Sequence, residues 1–261
     1  MKNLFGDDDD GIISPEVLTE MLSEAFAPDE LYRQTKNMMW SMVQYKEMQM
    51  VYECALKEIR TKFDVLNTEF ELQHKRNPIA SVNTRLKRTQ SIAAKLIKYR
   101  VPFSLENIEK HVNDVAGIRV ICSYIDDVYK IADALLAQDD VTLVEKKDYI
   151  ANPKPNGYRS LHLIVSIPVF FADGKKEVKV EVQIRTIAMD FWASLEHRMR
   201  YKHNIPEQAS ISAELKQCAE VIADTDKKML SLRDRIEAAE DAPTEEDILF
   251  EKLRRLDMPI K

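Results

Sequence analysis

Residues 177–203 read EVKVEVQIRTIAMDFWASLEHRMRYKH, and the spacing of the apolar side chains changes in the middle of this stretch. Before Thr186, apolar and polar residues alternate, which is the period of a half-buried strand. After Thr186 the apolar residues recur at every fourth position, which predicts a helix. These residues are Ile187, Phe191, Leu195 and Met199. The stretch therefore predicts a strand that runs directly into a helix.

The polar faces of this strand and this helix carry groups that suit a binding pocket. The strand presents Glu181, Gln183 and Arg185 on one side, and Asp190 follows on the helix. The ordinary alternative is a sheet face that contacts only solvent. A carboxylate, an amide and a guanidinium that lead into a second polar face favour the floor of a pocket.

The composition is that of an ordinary globular protein, with 261 residues of which 45% are hydrophobic and 31% charged. This length suits one large domain, or one domain with helical extensions. Since the sequence has no apolar run long enough to span a bilayer and no apolar signal core near its N-terminus, we expect a cytoplasmic protein. A net charge of −6 argues against unspecific binding to long nucleic acid. The cysteines, Cys54, Cys122 and Cys218, are in no metal spacing and are expected to be reduced core thiols.

Helical patterns dominate both ends of the chain. Residues 29–73 contain neither glycine nor proline, and an apolar seam with steps of four and three runs through their second half. The seam comprises Tyr52, Leu56, Ile59, Phe63, Leu66 and Phe70. Such a seam most often packs inside its own subunit, and a subunit contact is the alternative. Further helices are predicted to start at Ser14, to span 211–239, and to follow a cap at Thr244.

Residues 74–100 form a segment of one charge sign, with eight lysines and arginines and no carboxylate. Past Pro78 this segment is predicted to be a helix. On that helix one face carries Lys87, Ser91, Lys95 and Lys98, with Arg85 close by. A solvated basic face is the alternative, but solvated faces normally mix charge signs. The segment therefore predicts a cradle for a polyphosphate.

Two other stretches place a glycine among polar residues, in a chain that has only five glycines. In the first, Asp114 precedes Gly117 and a β-branched strand. In the second, residues 147–162, a loop with two prolines and Gly157 carries cations and an aromatic ring. Its candidate binding residues are Lys147, Lys154, Tyr158 and His162. Such a loop favours a nucleotide clamp with the base stacked on Tyr158, and a surface hairpin with chance lysines is the alternative.

The predicted strands are 117–124, 141–150, 159–171 and 177–186, with a helix at 126–138 between the first two. A sheet with flanking helices and helical extensions at both ends indicates an α+β or α/β arrangement. The sequence has no GxxxxGK motif, so a Walker-type ATP site is excluded.

Three of these stretches together resemble the synthetase domain of the RelA/SpoT family, which makes the alarmones ppGpp and pppGpp. They are DVAGIRV at 114–120, KDYIANPKPNGYRSLH at 147–162 and VEVQIRTIAMDFWASLEH at 180–197. The resemblance runs from about Pro78 to Lys202 with the motifs in order. The second and third motifs look closer to the RelP (YwaC-like) small alarmone synthetases than to the RelQ type.

The resemblance implies an α+β, nucleotidyltransferase-like fold with a mixed β-sheet flanked by helices. It divides the chain into a tail and helical extension at 1–75, the synthetase domain at 76–204 and a C-terminal helical extension at 205–261. It implies transfer of pyrophosphate from ATP to the 3′-hydroxyl of GDP or GTP, with release of AMP. No hydrolase activity is expected, because the histidine–aspartate pair of the long members' hydrolase domain is absent from the sequence. Because the resemblance to the small members implies a homotetramer, we expect a homo-oligomer, most simply a tetramer.

The family's functional positions carry over to named residues here. Asp114 and Glu181 match its metal-binding aspartate and catalytic glutamate, and both are expected to hold Mg²⁺. The ATP-binding positions are Arg85, Lys87, Ser91, Lys95, Lys98 and Arg119, with the two arginines on either side of the adenine. The GTP-binding positions are Lys147, Lys154, Tyr158, His162, Gln183 and Asp190. Some relatives carry asparagine at the last position, but a carboxylate there can accept from both N1–H and N2–H of guanine.

Two other functions compete with this interpretation. One is a catalytically inactive module of the same fold that binds nucleotide or RNA, and the presence of both Asp114 and Glu181 argues against it. The other is a toxin that pyrophosphorylates adenine nucleotides or tRNA ends. The base pocket distinguishes the second alternative, because Tyr158 and Asp190 together favour guanine.

Overall fold

The computed structural model describes residues 28–74, 76–200 and 208–240. The chain divides into two compact units, Met1–Met50 and Val51–Lys261. The acidic run at 7–10 and the helices predicted at Ser14 and after Thr244 lie outside the described residues. In the described part, no helix is both long enough and apolar enough to cross a membrane.

Five strands form one mixed sheet in the order β1-β2-β5-β4-β3. They are β1 (Ile79–Leu86), β2 (Ala116–Cys122), β3 (Thr142–Asp148), β4 (Leu161–Phe171) and β5 (Gly174–Thr186). Among these five described strands, β2 and β5 pair in parallel, and the other three neighbouring pairs are antiparallel. The strands β4 and β5 form a hairpin around the Asp173-Gly174 turn, with Gly174 at φ +140°. The predicted α+β class is confirmed.

Strand β1 corrects the prediction that a helix follows Pro78. Residues 79–86 are extended and pair antiparallel with β2, and the helix α2 begins only at Thr89. The segment alternates Val82 and Thr84 with polar neighbours, which is a strand period that the count of basic residues had obscured. Consequently Arg85 lies on a strand and Lys87 in the connection, so neither belongs to a helix face.

The described residues form six helices. They are α1 (Pro28–His74), α2 (Thr89–Tyr99), α3 (Leu105–His111), α4 (Ile125–Leu136), α5 (Ile187–Arg200) and α6 (Gln208–Glu240). In α1 the seam from Tyr52 to Leu66 is buried, and Ile59 and Phe63 are completely so. This confirms the interpretation of the seam as intramolecular core. On α4, Val128, Ile131 and Leu135 are buried at the spacing of one helix face.

The helix α5 is present as predicted, but its apolar stripe is not its buried face. Ile187 and Phe191 are 55% and 61% exposed, whereas Met189, Trp192 and Ala193 are buried. The helix turns this second face towards α6, because Trp192 Nε1 donates to the carbonyl of Leu215 at 2.9 Å.

The cysteines are all free thiols, and the expectation that they lie in the core holds for only one of them fully. Cys122 on β2 is buried, Cys54 is half-buried and Cys218 is exposed. The prediction is therefore wrong for Cys218, which lies on the solvent side of α6.

Candidate active site

The two parallel strands place two of the sequence motifs side by side. In the register of β2 and β5, Gly117 lies opposite Glu181 and Arg119 opposite Gln183. A cavity of about 290 Å³ opens over this pair of strands. Its lining includes Arg85, Asp114, Gly117, Arg119, Glu181 and Gln183. Gly117 has an ordinary φ, and a Cβ there would meet no atom closer than 3.7 Å, so neither the backbone conformation nor crowding by the protein requires a glycine at this position.

A second cavity, of about 200 Å³, lies beside β3 and β4. It is lined by Glu145, Lys147, Tyr149, Lys154, His162, Ile164 and Glu181. Glu181 therefore lines both cavities, and its carboxylate is in a position to act on molecules bound in either one.

Asp114 holds two of the predicted phosphate-binding lysines. Its Oδ2 accepts from Lys87 Nζ at 2.8 Å and its Oδ1 from Lys95 Nζ at 2.9 Å. Burial alone would raise the pKa of this carboxyl, but the hydrogen bonds and charges of the two lysines outweigh it and lower the pKa below its usual value. Asp114 is therefore a carboxylate at neutral pH, with both of its oxygens engaged by cations.

Glu181 is oriented by neighbours on its own strand and on β4. Gln183 Nε2 donates to its Oε2 at 2.9 Å, and His162 Nδ1 lies 3.4 Å from its Oε1. Burial raises the pKa of Glu181, the contacts with His162 and Gln183 lower it, and the charge of Asp114 raises it, with a net lowering. The influence of Asp114 shows that the two carboxylates act on each other electrostatically across the first cavity.

Tyr149, Lys154 and His162 line the second cavity, and Tyr158 and Arg185 lie against these residues. Lys154 Nζ lies 4.5 Å from the ring centroid of Tyr149 and 4.8 Å from that of Tyr158. Tyr158 Oη is 2.8 Å from His162 Nε2, and Arg185 Nη2 donates to the same hydroxyl. The chain of contacts from Arg185 through Tyr158 and His162 ends at Glu181, so the position of the ring and that of the carboxylate depend on each other.

Asp190 lies between two arginines. Its Oδ1 is 3.1 Å from Arg185 Nη1 and 3.3 Å from Arg119 Nη1. Arg119 also lines the first cavity, and among the described side chains its Nε is the one buried polar atom without a hydrogen-bond partner. Burial and the nearby positive charge of Arg185 lower the pKa of Arg119. Asp190 thus connects Arg119, which lines the first cavity, to Arg185, whose contact with Tyr158 leads to His162 in the lining of the second.

The structure does not bring every predicted residue to these cavities in the same way. Ser91 and Lys98 lie on α2 with exposed side chains, one turn to either side of Lys95. Lys95 alone of the three is shown in contact with Asp114. Arg85 is exposed on β1, where its backbone pairs with Gly117.

Sequence reasoning overlooked Tyr149 and undervalued Arg185. Tyr149 lies within the quoted 147–162 motif, and its aromatic character next to Asp148 was the available signal. Arg185 was expected on the polar strand face but is buried, with contacts to Tyr158, Gln183 and Asp190. No local pattern distinguishes such an arginine from an exposed one.

Comparison with known proteins agrees with this geometry. The family described as "Region found in RelA / SpoT proteins" matches residues 84–206. GTP pyrophosphokinase YwaC of Bacillus subtilis is 42% identical over 196 residues, which cover 75% of this chain and 93% of that protein. GTP pyrophosphokinase YjbM of the same organism is 36% identical over 201 residues, which cover 76% of this chain and 93% of the relative.

Solved structures give the same result. The small alarmone synthetase 1 of Bacillus subtilis bound to its product pppGpp superposes with a TM-score of 0.67 at 36% identity, covering 74% of this chain and 98% of that one. Small alarmone synthetase 2 of the same organism gives a TM-score of 0.66 at 42% identity, with coverages of 74% and 99%. A GTP pyrophosphokinase family protein of Streptococcus pneumoniae gives 0.68 at 32% identity, with coverages of 75% and 96%. With two adjoining cavities that share a carboxylate, and with relatives that match it over almost their whole length, this chain belongs to the RelA/SpoT family, among its small alarmone synthetases.

Proposed function

We propose that this chain is a GTP pyrophosphokinase that transfers the β,γ-pyrophosphate of ATP to the 3′-hydroxyl of GDP or GTP, giving AMP and ppGpp or pppGpp. The observation that carries the proposal is the place of Glu181 in the lining of both cavities. A reaction between two nucleotides needs one group that reaches the junction of their sites. The relatives that carry the name GTP pyrophosphokinase support the assignment.

The first cavity is assigned to ATP, the donor. Arg85 and Arg119 both line this cavity and supply guanidinium planes that stack on adenine. Lys87 and Lys95 hold the phosphates, with Ser91 and Lys98 on the same side of α2 as Lys95. Lys87 and Lys95 form ion pairs with Asp114. When ATP binds, its phosphates replace this carboxylate as the partner of both lysines.

The residues also fit a divalent cation. Asp114 and Glu181 supply two carboxylates at one cavity, and within the described residues no group of three or more metal-binding side chains exists. This donor set matches Mg²⁺, which is typically bound by one or two carboxylates together with substrate phosphates and water. When bound, Mg²⁺ would neutralise charge on the triphosphate of ATP. Asp114 and Glu181 are the residues that would hold it, and each of them alone would repel phosphate.

The second cavity is assigned to the guanine nucleotide, the acceptor. Tyr158 offers a stacking surface for the base, and Lys147, Lys154 and His162 contact the phosphates. Gln183, which lines the first cavity next to Glu181, and Asp190 are also assigned to the acceptor, Asp190 to the N1–H and N2–H donors of guanine. Since the carboxylate of Asp190 also contacts two arginines, its orientation is set before the base arrives.

We assign to Glu181 the role of accepting the proton of the attacking hydroxyl. Its lowered pKa keeps it ionised at neutral pH, so it can accept that proton. The 3′-oxygen of the acceptor then forms a bond to the β-phosphorus of ATP, the bond from that phosphorus to the oxygen of the α-phosphate breaks, and AMP leaves. Most of the catalysis comes from positioning and from the cations around the phosphates. Gln183 and His162 hold the carboxylate for this step.

We further propose that the enzyme acts in the cytoplasm as a homotetramer. It is proposed to bind no long nucleic acid and to have no hydrolase activity towards its product. Exposed apolar residues on the Val51–Lys261 unit support self-association, among them Phe191 on α5 and Leu232 and Ile236 on α6.

The experiment mixes the purified protein with ATP, Mg²⁺ and one of GDP, GTP, GMP or ADP, and separates the products. AMP together with a guanosine 3′-pyrophosphate is the expected result with GDP or GTP. If no guanine nucleotide leads to AMP formation, the proposal is refuted. If ADP is the preferred acceptor, the second cavity binds adenine and the assignment to guanine is wrong. Release of pyrophosphate from ppGpp in the presence of Mn²⁺ would show a hydrolase activity that the proposal excludes.

A further inference from the structure

The helix α6 contacts both of the elements that carry the proposed guanine site, although the matched family region ends at residue 206, before α6 begins. These elements are the loop 149–160, with Tyr158, and the start of α5, with Asp190. Neither contact lies at a reacting atom. Both lie directly behind a residue that the acceptor nucleotide would touch.

The first contact fixes the loop. Gly157 has φ +88°, and a Cβ built there would lie only 2.6 Å from the Cβ of Ala219 on α6. Arg159 Nη1 donates to the carbonyls of Gly157 at 3.1 Å and of Ala219 at 3.2 Å, so one guanidinium joins the loop to the helix. Tyr158 packs against the cluster of Trp192, Ala193 and Ala219. The ring that would stack on the base therefore rests on α6 from behind.

The second contact fixes the start of α5. The buried carboxylate of Asp226 on α6 accepts from the hydroxyl of Thr186 at 2.6 Å, and the same hydroxyl oxygen accepts from the backbone N–H of Met189 at 3.1 Å. Thr186 thereby caps the first turn of α5, in which Asp190 lies. Because the hydroxyl of Thr186 donates its hydrogen to Asp226, a lone pair of its oxygen is directed towards the N–H of Met189. Asp226 thus sets the direction of the cap.

We propose that α6 positions the acceptor half of the site, with Arg159, Ala219 and Asp226 as positioning residues for the guanine nucleotide. This rests on the proposed function, because it takes the second cavity to be the acceptor site. A selective effect is expected, since the donor residues Arg85, Lys87 and Lys95 lie on β1, on the connection after it and on α2, none of which carries these contacts. The other donor arginine, Arg119, is held on β2 and touches the start of α5 through Asp190, so a small change in the KM for ATP is expected beside the larger one for GDP.

The test uses two substitutions in the full-length protein. Ala219→Val adds methyl groups against Gly157, and Asp226→Ala removes the acceptor of the Thr186 hydroxyl. Each is expected to raise the KM for GDP about tenfold while the KM for ATP changes less than about twofold, because displacement of a positioning contact acts on the ligand it positions. Asp226→Asn retains an oxygen that can accept from Thr186, so it is expected to restore most of the lost GDP affinity.

Two matched controls lie on the same helix. Val221 is exposed, and Val221→Ala is expected to leave both KM values unchanged. Arg233→Gln loosens α6 at its contact with Asp126, away from the acceptor site, and is expected to lower the melting temperature without a selective rise in the KM for GDP. An equal rise in both KM values for Ala219→Val and Asp226→Ala, or the same selective rise for Arg233→Gln, would overturn the positioning role.

Direct binding separates this inference from the proposed function. Calorimetry measures the affinity for GDP and for a non-hydrolysable ATP analogue, whether or not turnover occurs. If the wild type binds GDP but forms no AMP, the proposed function fails while a selective loss of GDP affinity in the variants still supports positioning. If the wild type forms product and the folded variants bind GDP as tightly as it does, the positioning role fails alone. Should Ala219→Val not fold, Asp226→Ala with its Asn rescue carries the same comparison.

Discussion

At the scale of single residues, the two carboxylates of the site have different partners and therefore different tasks. Both oxygens of Asp114 accept hydrogen bonds from lysines that are proposed to bind the ATP phosphates. Glu181 is instead oriented by the amide of Gln183 and the imidazole of His162, and it lies at the junction of the two cavities. Asp114 is thus suited to charge balance in the donor half. Glu181 is suited to the proton of the acceptor hydroxyl.

Neutral analogues of these carboxylates provide the first prediction. Asp114→Asn and Glu181→Gln keep the side-chain shape and remove the charge, so each is expected to lower kcat about a hundredfold or more. Nucleotide binding should persist, since the cations and the rings are unchanged. For Asp114→Asn it should tighten, because Lys87 and Lys95 lose a competing anion. Turnover and calorimetry on variants with wild-type melting curves check this. Near-normal turnover of Glu181→Gln would contradict the assignment.

Replacing the stacking ring provides the second prediction. Tyr158→Ala removes the proposed platform for guanine, which typically costs about 1–3 kcal/mol of binding. The KM for GDP or GTP should rise accordingly, while that for ATP stays nearly constant. Steady-state kinetics with each substrate varied in turn gives the two values. Equal weakening of both substrates would show that Tyr158 does not define the acceptor site.

The lowered pKa of Glu181 gives a prediction for pH dependence. The reacting form is the carboxylate, so activity that depends on it is present above the folded-state pKa and is lost as the pH falls through it. Because that pKa is below the usual glutamate value of 4.5, this group alone should cause little loss of kcat/KM on acidification to about pH 5. A profile of kcat/KM, which reports the free enzyme, checks this, with stability recorded at each pH. In Gln183→Leu one hydrogen bond to the carboxylate is lost, so the acid limb should move to higher pH.

At the scale of helices and strands, α6 is attached at its far end by charge. Arg233 makes a bidentate contact with Asp126 at 2.9 and 3.0 Å, and its guanidinium lies 4.8 Å from the ring centroid of Tyr124. Arg76 lies near the same ring and pairs with the neighbouring Asp127. One tyrosine therefore lies beside two arginines, each of which is paired with a carboxylate of α4.

This attachment predicts how stability changes with pH. Burial raises the pKa of Asp126, but hydrogen bonds from Arg233 and Lys130 lower it to about 2. The stabilisation is fully present above the unfolded value of 3.8 and is lost as the pH falls through the folded value. Arg233→Gln should lower Tm by about 2–4 °C at pH 7, as a contribution near 1 kcal/mol implies. Melting curves from pH 7 to pH 2 should show this gap close, and a gap that is constant with pH would contradict the charge origin.

The same scale shows why some elements could be predicted and others could not. Strands β2 to β5 follow from local alternation and β-branched residues, and the structure shifts their predicted ends by no more than three residues. Strand β1 could not be predicted from its local sequence, in which basic residues dominate. Its extended form depends on pairing with residues of β2 that are thirty or more positions away. The exposed stripe of α5 has the same cause, since burial of Trp192 depends on α6.

For the site, prediction worked where the chemistry is contiguous. The three motifs contain Asp114, Tyr158 and Glu181, and the sheet brings them to adjoining cavities. The link of Asp190 to Arg119 and the contact of Gly157 with Ala219 join positions far apart in the chain. No local pattern contains such pairs. The roles of the site residues and the division into 1–75, 76–204 and 205–261 stay predictions.

At the scale of the whole molecule, the apolar surface bears on assembly. The seam of α1 from Tyr52 to Leu66 is satisfied within the subunit, so it needs no second chain. Other apolar side chains of the same unit are not covered, including Ile187 and Phe191 on α5 and Met229 and Leu232 on α6. Isolated exposed apolar residues are ordinary, but their recurrence along two adjacent helices favours an interface.

The last prediction is therefore a homotetramer. The chain has a mass of 30.2 kDa, so light scattering at micromolar concentration should give about four times that value. Phe191→Ser removes one of the exposed rings on α5 and is expected to shift the mass downwards, whereas Phe170→Ser, on the β4–β5 hairpin and 74% exposed, serves as the matched control and should leave it unchanged. A mass near that of one chain at every concentration would contradict assembly altogether. A tetramer that neither substitution alters would place the interface on another surface, because a ring lost from a buried contact costs far more than one lost to solvent.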